Sequence, residues 1–396
     1  MIERTVAKIV LEAASRAPIV VLTGPRQSGK STLCSTLFPD KPLVSLEDPD
    51  QRAFALDDPR GFLARYASGA VFDEIQRAPE IPSYLQGIVD AHPEPGRFVL
   101  TGSENLTLSA TISQSLAGRA AIVHVLPCSY AEVRRFEAAP TDLATVLWSG
   151  GYPRIHDRKL APNTWLADYV RTYVERDLRQ IVNITDLGAF QTFLGLAAGR
   201  TAQVLNTSSL GNDAGVTHAT ARRWLSILET SFVAHLLRPF YRNVGKRLIK
   251  APKLHFWDSG LLCFLLGIRE PGQLRTHPLR GAVFESWVVS ELRKELIARN
   301  VQHQALYFRD QKGHEVDMLV ELGARALGIE CKAGATFPSD AFAELEFFAA
   351  AARRDPLLGE LVPAVVYGGN DSHRRSDGAA VAWSGIEPWL EQCLQA

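Results

Sequence analysis

The feature that most constrains this chain is a glycine-rich segment directly after a short apolar run. Residues 19–23 (IVVLT) are typical of a buried strand, and the next nine residues contain the full pattern G-x-x-x-x-G-K-[ST]. These nine residues are Gly24, Pro25, Arg26, Gln27, Ser28, Gly29, Lys30, Ser31 and Thr32. Small residues allow successive backbone N–H groups to surround a phosphate, and a helix predicted over residues 31–38 would point its positive N-terminus at the same place. The segment therefore predicts a nucleotide-phosphate site.

Two side chains of this segment carry phosphate chemistry. The Lys30 ammonium would reach the β- and γ-phosphates of a nucleotide, and the Ser31 hydroxyl would ligate Mg²⁺. The alternative is a glycine-rich turn with an incidental lysine, but the preceding strand and the following helix argue against it. ATP and Mg²⁺ are therefore the predicted ligands.

A second acidic strand end is expected downstream of such a segment, and residues 69–74 (GAVFDE) supply it. Asp73 would hold the Mg²⁺ through water, and Glu74 would polarise the attacking water, because phosphoryl transfer is accelerated mainly by positioning and charge. The alternative is a pair of N-cap residues that open the next helix. The phosphate-binding segment favours the catalytic interpretation.

Two further polar residues follow predicted strands of the same unit. Residues 98–101 form a third strand that ends at Ser103, and parallel strands present their carboxyl ends at one edge, so Ser103 would lie beside the γ-phosphate. Arg119 follows a helix predicted over 111–117 and precedes a strand predicted over 121–125. Arg119 is either an arginine finger or intramolecular phosphate sensor, or an ordinary helix C-cap arginine.

The order of these motifs resembles a bacterial and archaeal family of AAA-type P-loop ATPases whose members carry a long C-terminal extension. The resemblance covers about residues 1–150 and rests on several independent motifs. It implies an α/β domain with a parallel sheet, ATP hydrolysis with Mg²⁺, and self-association through the ATPase domain. In such a domain Lys30, Glu74, Ser103 and Arg119 would be the catalytic residues, while Ser31 and Asp73 would hold the metal.

The middle of the chain predicts a winged helix-turn-helix. Residues 150–153 (GGYP) break the pattern and mark a domain boundary, and an amphipathic connecting helix is expected over 164–181. The following elements come in the order expected of this module. They are a helix (190–200), a short capped helix (204–210), a glycine turn (215–217), a second helix (217–229) and a wing (232–240).

This module offers candidate contacts to nucleic acid. Thr217, His218, Thr220, Arg222 and Arg223 lie on the exposed side of the second helix, where DNA-reading residues would sit. A basic stretch follows, consisting of Arg238, Arg242, Lys246, Arg247, Lys250 and Lys253. With 43 basic and 43 acidic residues the net charge is zero, so any nucleic-acid contact must come from such a local patch. A protein-packing adaptor and a solvated basic surface are the alternatives.

The C-terminal third contains a pattern typical of nucleases. A helix over 281–292 carries Glu285, and strands are predicted over 306–309, 315–321 and 326–332. Asp317, followed by Glu330 and Lys332, matches the D-(x)n-E-x-K core of restriction-endonuclease-like folds, which the ATPase family's extension also carries. Strand periodicity puts Glu330 and Lys332 on one face, and the hairpin brings Asp317 beside them.

This constellation predicts a second metal site. The carboxylates of Asp317 and Glu330, with Glu285 added, would bind Mg²⁺ or Mn²⁺ weakly, and Lys332 would stabilise the charge of the reacting phosphate. The alternative is an amphipathic hairpin with a surface ion pair.

Composition excludes several classes of protein. Five cysteines without a C-x-x-C pair argue against a zinc module or a disulfide framework. Five charged side chains within residues 1–18 argue against a signal peptide, and no apolar run reaches the ~20 residues that span a bilayer. A cytoplasmic protein without membrane contact is the expectation.

Together these observations predict an α/β protein with three parts: an AAA-type ATPase domain (1–150), a helical linker with a winged helix-turn-helix (151–255) and a restriction-endonuclease-like domain (256–396). The leading hypothesis is an ATPase coupled to the binding or processing of nucleic acid, with DNA as the expected partner. The alternative is a nucleotide-switched regulatory protein, in defence or toxin control, whose nuclease-like domain binds but does not cut.

Overall fold

The computed structural model describes residues 2–103, 115–174, 186–240, 250–352 and 360–395. The chain forms two compact units. The N-terminal unit comprises residues up to 128 together with 230–232 and 297–300, and the C-terminal unit contains the remainder. The three predicted domain limits stay predictions. Within the described ranges, no helix has both the length and the apolar character that a bilayer crossing requires.

A five-stranded sheet forms the centre of the N-terminal unit. Its strands are β1 (Ile19–Thr23), β2 (Leu43–Ser45), β3 (Ala70–Asp73), β4 (Phe98–Gly102) and β5 (Ala120–His124). Every pairing is parallel and the order is β2-β3-β4-β1-β5. The predicted parallel α/β fold is therefore confirmed, and the carboxyl ends of β1, β3 and β4 lie at one edge.

Helices cover both faces of this sheet. They are α1 (Ala7–Arg16), α2 (Lys30–Leu37), α3 (Pro49–Asp57), α4 (Pro59–Ala64) and α5 (Ile81–Ala91), with a 3-10 turn at Ile75–Arg77. Alternate residues of β1 enter different cores: Ile19 and Val21 pack with residues of α3, α4 and α5, whereas Val20 and Leu22 pack with α1 and α2. Burial on both faces explains why β1 is a continuous apolar run in the sequence.

The C-terminal unit contains a mixed eight-stranded sheet. Its strands are β6 (Ala234–Pro239), β7 (Lys253–Phe256), β8 (Gln304–Arg309), β9 (Glu315–Leu322), β10 (Arg325–Lys332), β11 (Glu360–Tyr367), β12 (His373–Arg374) and β13 (Ala379–Ala382). The order is β12-β13-β11-β10-β9-β8-β6-β7. β9 and β10 form the predicted antiparallel hairpin, and β10 pairs in parallel with β11.

One long helix and several shorter ones accompany this sheet in the described part of the C-terminal unit. They are α6 (Tyr130–Val133), α7 (Leu143–Ser149), α8 (Pro153–Asp157), α9 (Pro162–Tyr169), α10 (Leu187–Gly199), α11 (Thr207–Asp213), α12 (His218–Thr230), α13 (Ser259–Leu265), α14 (Arg280–Ala298), α15 (Ala343–Ala352) and α16 (Ile386–Gln395). The predicted helices of the helix-turn-helix correspond to α10, α11 and α12.

One predicted element of the middle region, the wing, needs correction. The segment expected to form a projecting wing is β6, which pairs with β7 on one side and with β8 on the other, so that it belongs to the eight-stranded sheet. The predicted boundary near residue 255 falls within β7. The connecting helix ends as an α-helix at Tyr169 and continues as a π-helix over Val170–Val174, and the rest of the predicted span lies outside the described residues.

The glycine pair at residues 150–151 is an interior contact of the C-terminal unit and not an exposed linker. Asp258, the N-cap of α13, accepts hydrogen bonds from the backbone N–H of Leu261 at 2.8 Å and of Gly151 at 2.7 Å. Gly150 has a φ of 66°, and a Cβ at this position would collide with the Asp258 carboxylate. The glycines are therefore needed for close packing, which local sequence pattern does not distinguish from a turn.

We expect Asp258→Ala to destabilise the C-terminal unit, because two buried N–H groups lose their acceptor. The free energy of unfolding should fall by about 2–4 kcal/mol, as for other buried unsatisfied donors. Urea denaturation followed by circular dichroism measures the change. Asp186→Ala is the matched control, since Asp186 is an exposed N-cap that bonds Ala189 N–H at 2.8 Å, and it should cost about 1 kcal/mol. Equal losses in the two variants would contradict the interior role of Asp258.

Candidate functional site

The phosphate-binding segment connects β1 to α2 with the backbone that its glycines allow. Gly24 has a φ of 151°, and a Cβ there would collide with the carbonyl oxygen of Val125. Gly29, the residue before α2, has a φ of 91° in the left-handed region. Both positions thus require glycine for conformational reasons. The segment places the N-terminus of α2 at the carboxyl edge of the sheet.

Lys30 points into the concave side of this segment. Its side chain is 5% exposed, and its ammonium donates hydrogen bonds to the carbonyl oxygens of Gly24 at 3.0 Å and Pro25 at 2.9 Å. Burial lowers the pKa of Lys30 to about 8, although the charges of Glu74 and Asp73 act to raise it. A buried ammonium held only by neutral carbonyls is well suited to an anionic phosphate.

The structure brings Ser31 and Asp73 together as the sequence predicts. The Ser31 hydroxyl donates to Asp73 Oδ1 at 2.8 Å, and the Thr101 hydroxyl donates to the same oxygen. The contact between Thr101 and Asp73 is a feature that the sequence pattern does not predict. A partial signal is present in the sequence, since Thr101 is the polar residue near the carboxyl end of β4.

Glu74 follows β3 and is held by polar side chains. Its φ of 56° lies in the left-handed region, which is unusual for a residue with a Cβ. The Gln76 amide donates to Glu74 Oε2 and also to Ser103 Oγ at 3.0 Å. The Ser103 hydroxyl donates to Glu74 Oε2 at 3.5 Å, and its expected position beside a γ-phosphate stays a prediction. Glu74 makes no side-chain capping bond to the following turn, which removes support from the N-cap alternative.

Arg119 is not placed to sense a phosphate in its own site. It precedes β5 and therefore lies at the amino edge of the parallel sheet, opposite the carboxyl edge that carries Lys30. Its guanidinium pairs with Asp90 at 2.5 and 2.9 Å and donates to the Ala117 carbonyl at 3.1 Å. The prediction that Arg119 senses the phosphate of its own site is therefore wrong, because the length of β5 separates Arg119 from the phosphate-binding segment. A contact with the phosphate of another copy stays a prediction.

The predicted nucleic-acid residues fall into three groups. Arg222 and Arg223 are exposed on α12, and Lys250 is exposed before β7. Lys253 is 1% exposed and faces carboxylates, so its assignment as a phosphate contact is corrected. Arg238 is exposed on β6, whereas Arg242, Lys246 and Arg247 lie outside the described residues.

The nuclease-like residues of the C-terminal unit form one cluster. Asp317 accepts a hydrogen bond from the backbone N–H of Cys331 at 2.9 Å, which joins β9 to β10. The Lys332 ammonium lies 3.1 Å from Glu330 Oε2. The Lys253 ammonium contacts Glu285 Oε1 at 2.7 Å and Asp317 Oδ1 at 3.5 Å. The hairpin and α14 therefore bring the predicted set together, with Lys253 added.

Two carboxylates of this cluster, Glu285 and Glu330, hold their protons more tightly than free carboxylates do. Burial, followed by the Asp317 charge, raises the pKa of Glu330 to about 8 and raises the pKa of Glu285 well above its usual range. Over the described part of the chain, no group of three or more His, Cys, Asp or Glu side chains has the arrangement of a metal site. The Mg²⁺ or Mn²⁺ site expected between Asp317 and Glu330 is therefore not supported by this arrangement, in which the Lys253 ammonium already lies 3.5 Å from Asp317 Oδ1.

Comparison with known families divides the chain into three matched segments. Residues 16–134 match a family described as an AAA domain. Residues 140–272 and 280–385 match two domains of unknown function, DUF8612 and DUF4143. The AAA match covers the phosphate-binding segment and the five-stranded sheet. It supports ATP binding and ATPase activity for the N-terminal unit.

Solved structures with low sequence identity resemble parts of the chain. A Walker-type ATPase of Pyrococcus abyssi is 15% identical, with a TM-score of 0.45 over 67% of this chain and 96% of that one. A variant of RuvB from Thermotoga maritima is 19% identical, with a TM-score of 0.31 over 62% of this chain and 95% of that one.

Two mycobacterial proteins match most of the sequence. They are uncharacterized protein Rv2008c of Mycobacterium tuberculosis (strain ATCC 25618 / H37Rv) and uncharacterized protein Mb2031c of Mycobacterium bovis (strain ATCC BAA-935 / AF2122/97). Each is 33% identical over 338 residues, which is 84% of this chain and 74% of the relative. This protein therefore belongs to the family of Rv2008c and Mb2031c, and it carries an AAA-type ATPase domain in its N-terminal unit.

Proposed function

We propose that the N-terminal unit binds ATP with Mg²⁺ and hydrolyses it at the carboxyl edge of the five-stranded sheet. The observation that carries the proposal is the convergence of three strand ends at this edge. They bring Lys30, Ser31 and Asp73 into one site, with the Ser31 hydroxyl 2.8 Å from the Asp73 carboxylate and Glu74 next in the chain. The experiment that tests it is Mg²⁺-dependent phosphate release by the purified protein, compared with variants at Lys30 and Glu74.

The residues at this edge fit Mg²⁺. A hydroxyl and a carboxylate oxygen are hard donors of the kind that Mg²⁺ prefers, and the ion commonly keeps several waters. Ser31 would bind the ion directly and Asp73 would bind it through water. Thr101 shares the Asp73 oxygen and would fix the orientation of that carboxylate. When bound, the ion neutralises charge on the β- and γ-phosphates.

Lys30 would exchange its present partners for phosphate oxygens. Its ammonium now donates to two neutral carbonyls, and charge-assisted bonds to a phosphate are stronger. With a pKa of about 8, Lys30 is mostly protonated at neutral pH, and a nearby phosphate would hold the proton more firmly. Binding of ATP and charging of Lys30 are therefore mutually supportive.

Glu74 would orient the attacking water, and Gln76 and Ser103 would position Glu74. Gln76 donates to both Glu74 and Ser103, so the three side chains form one network. A Glu74 oxygen that accepts from Gln76 is less available to a water. Gln76 would therefore compete with the water for Glu74 Oε2.

A coupled contact with nucleic acid is the second part of the proposed function. Ala221, Trp224 and Leu228 of α12 are buried, which leaves Arg222 and Arg223 on its exposed face. α11 and a left-handed Gly215 precede α12, in keeping with a helix-turn-helix. This exposed pair of arginines supports contact with a phosphate backbone. The burial of Lys253 favours an alternative in which the C-terminal unit binds without cutting, within a nucleotide-switched regulatory protein.

We expect binding of duplex DNA to depend steeply on salt if α12 meets the backbone. The logarithm of the binding constant falls by about 0.9 per decade of salt for each neutralised phosphate. Arg222→Glu with Arg223→Glu should weaken binding and reduce this slope by about 2. Fluorescence anisotropy across a salt series measures both quantities.

The matched control reverses two exposed arginines at α8: Arg154 within the helix and Arg158 directly after it. It makes the same change in net charge and should leave the slope within about 0.5 of the wild-type value. If the α12 variant and the α8 variant behave alike, the effect is one of net charge and the assignment to α12 is wrong.

A further inference from the structure

Lys253 lies among carboxylates from two different elements of the C-terminal unit. Its ammonium contacts Glu285 of α14 at 2.7 Å and Asp317 of β9 at 3.5 Å, and it also pairs with Glu315 of β9. The Lys253 side chain is 1% exposed, whereas those of Glu285 and Asp317 are 15% and 13% exposed. Lys253 thus occupies the interior of a cluster that the sequence pattern assigns to a metal.

An ammonium and a divalent ion compete for the same oxygens. An ammonium has three N–H donors, and Lys253 has three carboxylates around it. A metal ion needs its oxygen ligands at about 2.0–2.6 Å, so it would stand next to the positive charge of the Lys253 ammonium. The ammonium therefore satisfies these carboxylates in the way that a cation would, and it excludes a second cation.

The backbone fixes Lys253 in this position. Lys253 begins β7, whose residue Phe256 is bonded to α14 through both backbone groups: its N–H donates to Ser286 Oγ at 3.1 Å, and its carbonyl accepts from Ser290 Oγ at 2.7 Å. Burial alone would lower the pKa of Lys253, but the charges of Glu285, Asp317 and Glu315 together raise it. The three carboxylates therefore favour the charged form of Lys253.

We propose that Lys253 is a built-in cation that takes the place of the divalent metal in the nuclease-like constellation of Glu285, Asp317 and Glu330. The cluster then joins β7, α14 and the β9–β10 hairpin without a metal ion. In consequence, the C-terminal unit performs no metal-dependent cleavage, and its contacts with a partner do not require Mg²⁺ or Mn²⁺. This inference is independent of the ATP site, whose metal would be held by Ser31 and Asp73.

Manganese binding to the full-length protein tests the proposal. All proteins carry Asp73→Asn, which removes the metal carboxylate of the N-terminal unit, and nucleotide is absent. Electron paramagnetic resonance measures the free Mn²⁺, and the number of bound ions is the difference from the total added. We expect no bound Mn²⁺ at the cluster while Lys253 is present, and one equivalent after Lys253→Met. Adding Asp317→Asn to Lys253→Met should abolish the gained site.

Lys332→Met is the matched control. It removes the other lysine of the cluster, which is 37% exposed and contacts Glu330 at 3.1 Å, but it leaves Lys253 in place. We expect this variant to gain no Mn²⁺ site. A gain equal to that of Lys253→Met would mean that loss of any nearby positive charge creates the site, and the specific role of Lys253 would be overturned.

Two further results would overturn the proposal. One is Mn²⁺ binding in the protein that retains Lys253, provided that Asp317→Asn abolishes it. The other is a folded Lys253→Met protein that gains no site. If Lys253→Met does not fold, the double variant Lys253→Met with Glu315→Gln keeps the net charge and leaves Glu285, Asp317 and Glu330 available. If neither variant folds, the Mn²⁺ titration of the protein that retains Lys253 decides alone. Mn²⁺ binding that Asp317→Asn abolishes would overturn the proposal, and no binding would support it.

Discussion

Lys30→Ala is expected to abolish ATP binding. The variant loses the positive charge that faces the interior of the phosphate-binding segment, where Lys30 is 5% exposed and its ammonium is bonded to two backbone carbonyls. A ligand at 100 times its dissociation constant stabilises a protein by about 2.7 kcal/mol. The wild-type protein should therefore show an increase in melting temperature with Mg²⁺ and ATP that the variant lacks.

Arg26→Ala is the control for this comparison. Arg26 belongs to the same segment, but its guanidinium contacts Glu47 at 3.5 Å and does not take the place of Lys30. The variant should retain most of the ATP-dependent shift. An unchanged shift in Lys30→Ala would contradict the assignment of Lys30 to the phosphate, provided that the melting temperatures without nucleotide show both variants folded.

Glu74→Gln is expected to leave ATP binding intact and to stop turnover. The glutamine cannot accept a proton from water, whereas Ser31 and Asp73 still provide the metal ligands. Loss of a general base or water-orienting carboxylate typically lowers the rate about 10²–10⁴-fold. Parallel measurement of kcat and of the dissociation constant for ATP separates the two effects.

Glu47→Gln is the matched substitution for this prediction. Glu47 is a half-exposed carboxylate that pairs with Arg26, so its neutralisation should change kcat by less than about threefold. If Glu74→Gln retains kcat within the same range, Glu74 does not orient the water. A joint loss of binding and turnover would point to a structural role for its left-handed backbone.

Local sequence pattern was sufficient to predict most of the ATP site. The phosphate-binding segment has a fixed spacing because its backbone must curl around a phosphate, and Asp73 and Glu74 directly follow a short apolar strand. The parallel sheet then brings Ser31 to Asp73 without further information. The contact of Thr101 with Asp73 does not follow from the sequence, because the pairing of β3 with β4 is a property of the sheet and not of either strand alone.

Contacts between distant segments could not be read from the sequence. Lys253 looked like a member of a basic surface stretch, but its partners follow 32 to 64 positions later, at Glu285, Glu315 and Asp317. Gly150 looked like a linker for the same reason, since Asp258 is 108 positions away. Hydrophobic periodicity describes one element at a time, so it predicts that a strand is present but not which segments pack against it.

The predicted wing shows the same limit at the level of topology. Residues 234–239 form a strand as the alternation suggested, and the strand pairs with β7 to make a ribbon. Its other edge pairs with β8, about 68 residues away in the chain at Arg238 and Leu306. A strand with two partners lies inside a sheet, and no feature of the six residues themselves distinguishes that from a free ribbon.

The most direct test of the central claim is phosphate release from ATP by the purified full-length protein with Mg²⁺, with EDTA, and with the Glu74→Gln variant in parallel. We predict steady release by the wild-type protein with Mg²⁺, and release at the level of a no-protein blank in both other samples. Equal rates in all three samples, or no release by a wild-type protein that binds ATP, would contradict an ATPase at the carboxyl edge of the five-stranded sheet.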